Sequence, residues 1–153
     1  MIKVICVGRL KERFFAEGVE YYQAGRRKER PARSVQIVEV PEESAPEGLS
    51  EARKQQITEK EGRALLKQIN GQSRPWKPGP IVVALDVNGK RYTKTEIGAI
   101  IHGADADVAF VIGGSLGLGQ NVLERADYRW SLSAMTLPHQ LARVVVTSIV
   151  MGL

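Results

Sequence analysis

The sequence is poor in the residues that staple, stack or anchor a protein. It holds one cysteine, Cys6, among 153 residues. A lone thiol closes no intrachain disulfide and completes no cysteine zinc site, which suits a reducing compartment. Aromatics number three Phe, four Tyr and two Trp, too few to indicate a platform on which single-stranded bases stack. No apolar run approaches the ~20 residues of a membrane span. The opening MIKVICVG lacks the charged n-region and small-residue cleavage site of a secretory signal. A soluble, cytoplasmic protein is therefore expected. Charge of one sign is also modest: 22 Lys and Arg face 17 Asp and Glu, a net +5.

What is present is organised as one domain. At this length roughly 70% of the unfolded surface can be buried, so a core suffices without staples. Ile2–Val7 (IKVICV), Val35–Val40, Ile81–Leu85, Val108–Ile112 and Tyr128–Leu132 read as short strands rich in β-branched residues. Cys6, inside the first, reads as a small buried hydrophobe. Between them lie helical patterns. Leu10 to about Arg26 sets Phe14, Phe15, Val19 and Tyr22 on a face expected to pack on the sheet. Further helices are expected from near Ser50 to about Ile69, over Thr95–Ile101 with Thr93 or Thr95 as cap, around Asn121–Ala126, and from Pro138 onward. Val87-Asn88-Gly89-Lys90 reads as a turn, and NGQSRPWKPGP as a connector. This alternation predicts an α/β fold: a mostly parallel sheet of about five strands with helices on both faces.

Two features invite a ligand. Arg26, Arg27, Lys28, Arg30 and Arg33 cluster against Glu29 alone, which fits either a phosphate backbone or a solvated helix end whose cations favour the dipole. The second is FVIGGSLGLG, Phe110 to Gly119, where a strand runs into four glycines within seven residues. Ligands of open α/β sheets lie at such carboxyl ends. Yet Gly114, Gly117 and Gly119 give G-x-x-G-x-G, which is not the dinucleotide fingerprint. Gly114-x-x-x-x-Gly119 is followed by Gln120 and Asn121 rather than the Lys of a phosphate loop. Tight packing of the chain on itself is the competing reading. After the fifth strand, SLSAMTLPHQLAR mixes small, polar and apolar residues, with backbone groups suited to an adenosine edge.

VGRLKE, EKEGRALL, ALDVNGK, FVIGGSLGL and RADYRWSLSAMTLPHQLAR, in this order and spacing over roughly residues 1–146, resemble the SPOUT class of S-adenosylmethionine-dependent RNA methyltransferases. The resemblance is closest to its RlmH family, which methylates N3 of a pseudouridine in 23S ribosomal RNA of the large subunit. It implies a C-terminal trefoil knot, a homodimer and no phosphate in the glycine loop. It also implies cofactor contacts at Leu85, at Gly113 and Gly114, and at Leu132, Ser133, Ala134, Met135, Thr136 and Leu137. No metal is implied. Relatives carry an aromatic- and histidine-bearing tail after the last helix, where this sequence reads VVVTSIVMGL, so a shortened tail is expected. That difference keeps a noncatalytic cofactor- or RNA-binding protein as the alternative function.

Methyl transfer to an imide nitrogen is an in-line displacement that needs the acceptor aligned and deprotonated. Arg143, one turn into the last helix, is the first candidate to stabilise the resulting anion; a salt bridge or phosphate anchor is its alternative role. His139 is the second candidate, as a proton acceptor near neutral pH, with packing or capping as its alternative. Asp86 reads as a turn former.

Overall fold

The computed structural model describes residues 1–29, 35–71 and 79–153. The side chains of the basic segment 26–33 and most of the 70–80 connector lie outside the described residues. Five strands, β1 (Ile2–Val7), β2 (Val35–Val40), β3 (Ile81–Lys90), β4 (Val108–Ile112) and β5 (Tyr128–Trp130), form one sheet. Its order is β2-β1-β4-β3-β5, and every pairing is parallel. The helices are α1 (Arg13–Glu29), α2 (Glu51–Asn70), α3 (Lys94–Gly103), α4 (Gln120–Arg125) and α5 (His139–Met151).

Both faces of the sheet are covered, which explains why its strands read as continuous apolar runs rather than alternating ones. Val4, Cys6, Val83, Phe110 and Ile112 pack with Ile97 and Ile101 of α3 and Val146 and Val150 of α5. On the opposite face Ile5, Val7, Val82 and Val111 pack with Leu65 and Ile69 of α2 and Val122 of α4. The expected fold class is the observed one.

Three local expectations are revised. The helix α1 packs chiefly against α5 rather than the sheet: Val19 is buried while Phe14 stays 63% exposed, and Gly18 lies close to Val144. The strand β3 continues past Leu85 to Lys90, because Leu85 and Lys90 both pair with Trp130 and residues between them bulge out. The strand β5 ends at Trp130 instead of Leu132, since Ser131 donates to the Lys90 carbonyl at 2.9 Å and the chain then turns away. Helix starts follow short-range chemistry. Ser50 caps α2 by accepting from the Arg53 N–H, and Thr93 with Glu96 forms a reciprocal capping box on α3.

Candidate functional site: a cavity at the carboxyl ends of β3, β4 and β5

A cavity of about 600 Å³ opens where β3, β4 and β5 end. That is the size of a pocket for a cofactor-sized ligand, at the end of the sheet where α/β folds bind. Three segments build it. The bulge after Leu85 contributes Asp86, Val87 and Asn88; the loop after β4 contributes Ile112 through Leu118; the segment after β5 contributes Leu132, Ser133 and residues 135–139. Leu85, Leu123, Trp130 and Ala142 complete the wall.

Each segment is held by its own backbone chemistry. Asp86 Oδ1 accepts from the Asn88 N–H at 3.0 Å, fixing the bulge. Ser131 Oγ donates to the Ser133 carbonyl at 2.8 Å, and Ser133 Oγ accepts from the Met135 N–H at 3.1 Å. These two serines shape the last segment without needing a strand or helix. The glycine loop is a hairpin: the Gly117 N–H donates to the Gly114 carbonyl at 3.0 Å, with Gly117 at φ +80°, where a Cβ is strained.

Much of the glycine requirement is internal. A Cβ on Gly113 would lie 2.6 Å from the Gly117 carbonyl carbon, and one on Gly114 would lie 3.1 Å from Val7 Cγ1. One on Gly119 would lie 2.7 Å from the Thr58 carbonyl of α2. The chain itself fills the space these glycines leave, and the loop's remaining edge forms the cavity wall.

The structure brings Leu85, Gly113, Gly114, Leu132, Ser133, Met135, Thr136, Leu137 and His139 to this one cavity. Ala134 and Arg143 are not among its lining residues. Met135 points largely outward, at 74% exposed. Arg143 lies on the side of α5 that faces β1 and β2, and is 2% exposed. Its Nη1 donates to Glu39 Oε2 at 2.9 Å, and its Nη2 donates to the carbonyls of Gly8 at 2.8 Å and Val7 at 3.3 Å. The guanidinium thus clasps α5 onto the carboxyl end of β1, and the salt-bridge alternative describes its surroundings.

Sequence reasoning missed Asn88, Ile112, Leu118, Leu123 and Trp130 as lining residues. Ile112 was legible as the residue before Gly113, and Leu123 as one helical turn from Gly119. Asn88 needed the bulge, which pattern alone reads as an exterior turn.

Electrostatically the cavity is unusual for a nucleotide site. Its described lining holds no Lys or Arg, and its titratable side chains are Asp86 and His139. No group of acidic, His or Cys side chains among the described residues could hold a metal. Cys6, in β1, is buried between the sheet and the α3 and α5 side, and burial pushes its thiol up to about 12, despite the opposing pull of Arg143. It is inert at neutral pH. Behind the glycine loop Glu61 is buried and accepts from the Glu43 N–H at 3.0 Å. Burial raises its carboxyl above the ordinary value, the hydrogen bond opposes this, and Glu42 and Glu43 add repulsion in the same direction as burial.

The family model described as a predicted SPOUT methyltransferase matches residues 1–149. The chain belongs to the SPOUT methyltransferase family. This methyltransferase is 43% identical over 150 residues to the ribosomal RNA large subunit methyltransferase H of Lactiplantibacillus plantarum, covering 95% of this chain and 88% of that one. The protein of the same name from Alkaliphilus oremlandii is 40% identical over 149 residues, covering 95% and 87%. That from Carboxydothermus hydrogenoformans is 37% identical, with the same coverage. Among the described residues of the methyltransferase, no helix is long and apolar enough to cross a membrane.

Proposed function

We propose that the chain transfers a methyl group from S-adenosylmethionine to ribosomal RNA of the large subunit, at N3 of a pseudouridine. The observation that carries this reading is the cavity's charge pattern. A site of about 600 Å³ whose described lining is largely apolar and holds one carboxylate but no lysine or arginine suits a sulfonium cation and offers no cationic side chain to a polyphosphate. Leu85, Leu132 and Leu137 would wall the adenine, and main-chain groups of residues 132–137 would read its edge. Gly113 and Gly114 would let the loop approach the ligand closely. The cofactor supplies an electrophilic methyl group.

The chain's own residues would align the acceptor and manage its proton. The N3 proton leaves to a base. His139, at the first turn of α5 and in the cavity wall, would receive it. That turn has no side-chain cap, so its N–H groups and the positive end of the helix dipole would favour the acceptor's anion. Arg143, engaged with Glu39 and two carbonyls, would act by holding α5 in place.

The reading includes a single domain, a trefoil knot, a homodimer and a cytoplasmic location. For the knot, the support is the path of the chain after β5. It leaves the sheet edge, crosses the ends of β3 and β4 through the cavity wall, and places Arg143 of α5 on β1. For the dimer, the support is α1, where Phe14 and Tyr21 lie seven residues apart and are 63% and 73% exposed.

The test is methyl transfer from radiolabelled S-adenosylmethionine to ribosomes and large subunits lacking the modification, with the product nucleoside separated by chromatography. Label on a pseudouridine of the large-subunit RNA is expected. Cofactor binding without transfer to any RNA would favour the noncatalytic alternative.

A further inference from the structure

The turn that gives Leu118 and Leu123 to the cavity gives Gly119 and Asn121 to α2 on its other side. Four contacts define that second side. Asn121 Nδ2 donates to the Glu59 carbonyl of α2 at 3.0 Å, and Asn121 Oδ1 accepts from the Val122 N–H at 3.0 Å. The Gly119 backbone presses on the Thr58 carbonyl, so that a Cβ there would come within 2.7 Å. Gly62, one turn along α2, leaves the space that the Asn121 amide occupies: a Cβ on Gly62 would collide with it. Gly62 and Glu59 both belong to the stretch EKEGRALL, to which the cavity assigns no role.

A glycine inside a twenty-residue helix costs roughly 0.5–1 kcal/mol relative to alanine, and Gly62 is buried in the middle of α2. The packing of Asn121 accounts for its presence. The same amide ties a part-buried carbonyl of α2 to a helix-start N–H of α4. The helix α4 has only six residues and Gly119, at its N-cap, offers no side chain. The position of this turn is thus set largely from outside, by α2.

We propose that Asn121, seated in the notch left by Gly62 and Gly119, is a positioning residue for the cofactor site. It fixes the turn that carries Leu118 and Leu123, and through it the glycine loop. This rests on the cavity being the S-adenosylmethionine site. Two readouts keep the failure of one separate from the failure of the other.

The first is amide hydrogen exchange of the free protein, which needs no cofactor. Asn121→Ala should accelerate exchange at Gly117, Val122 and Leu123 by about tenfold or more, with the strands of the sheet unchanged. The second is calorimetric affinity for S-adenosylmethionine, well below the melting temperature. Asn121→Ala and Gly62→Ala should each weaken binding about three- to tenfold. The double variant should be no weaker than the worse single one, because the added Cβ has lost the amide it struck. Asn121→Asp keeps the shape and the Val122 acceptor but faces a carboxylate oxygen to the Glu59 carbonyl. It should match the alanine variant, and it serves if that variant does not fold.

Unchanged exchange overturns the proposal whatever the cavity binds. Accelerated exchange with unchanged affinity, or additive single effects, also overturns it. A parent chain that binds no S-adenosylmethionine removes the proposed function, and the exchange data then decide the role of Asn121 in ordering the turn.

Discussion

Replacing Arg143 with methionine removes the clasp between α5 and the carboxyl end of β1 while keeping an apolar stem of similar length. Three hydrogen bonds are lost, to Glu39 and to the carbonyls of Gly8 and Val7. Bonds to a charged donor contribute about 1.5–3 kcal/mol each. Two effects offset this. The variant no longer desolvates a guanidinium in a 2% exposed site, and Arg143 Nε is itself buried without a partner. The net loss is about 3 kcal/mol. At about 2–4 °C per kcal/mol for a chain of this size, the melting temperature falls by ~6–12 °C. Glu39→Gln tests the other partner. Its side chain is 43% exposed, so solvent screens the pair and the loss is at most about 1 kcal/mol. Thermal melts at neutral pH should show this asymmetry, with Arg143→Lys between the two because an ammonium cannot make the same fork. Methyl transfer, measured where each variant is folded and saturated with cofactor, should survive in part. An Arg143→Met protein that melts like its parent but transfers nothing at saturation would refute the reasoning and make Arg143 a group that touches the RNA.

Gly113→Ala places a Cβ 2.6 Å from the Gly117 carbonyl carbon and 2.7 Å from its oxygen. The backbone must move, at a cost of about 1–3 kcal/mol, and affinity for S-adenosylmethionine should fall at least about tenfold. Gly25→Ala, where a Cβ meets nothing, should bind normally; equal effects at both positions would count against the loop geometry. Glu61→Gln concerns pH. Because burial raises its carboxyl, the folded protein holds that proton more tightly than the unfolded chain does. Stability from this group is present below the unfolded value and is lost as pH rises through the folded one. The variant should be more stable than the parent at neutral pH, with a flatter stability profile above pH 4.5. Identical profiles for the two would remove Glu61 as the cause.

The strands were legible because both sheet faces are covered, so IKVICV and VAFVI carry no polar alternation to obscure them. The start of α3 was legible for a local reason, a Thr93 hydroxyl beside free N–H groups, whereas Ser50 marked the start of α2 by position and its capping role came from the structure. The path from Leu85 to Lys90 was not. Asn88-Gly89 marks a turn, and only the pairing of Leu85 and Lys90 with one Trp130 reveals a bulge inside a strand. The cavity was legible as three loops, through a resemblance carried by motifs rather than by periodicity. The direction of Arg143 was not legible, since its spacing from Pro138 gives a helix position but not which carbonyls lie opposite. The meaning of the glycines was divided in the same way. Their density marked a close approach, while the partner in that approach, for Gly113, Gly114 and Gly119, is the chain itself.

The most direct test of the account is calorimetric titration of the purified chain with S-adenosylmethionine, with ATP and NADH as controls. A cavity lined by Asp86 and without lysine or arginine among its described residues predicts saturable binding of the sulfonium ligand and none of either phosphate-bearing control. Binding of ATP or NADH in its place, or no binding of S-adenosylmethionine, would contradict it.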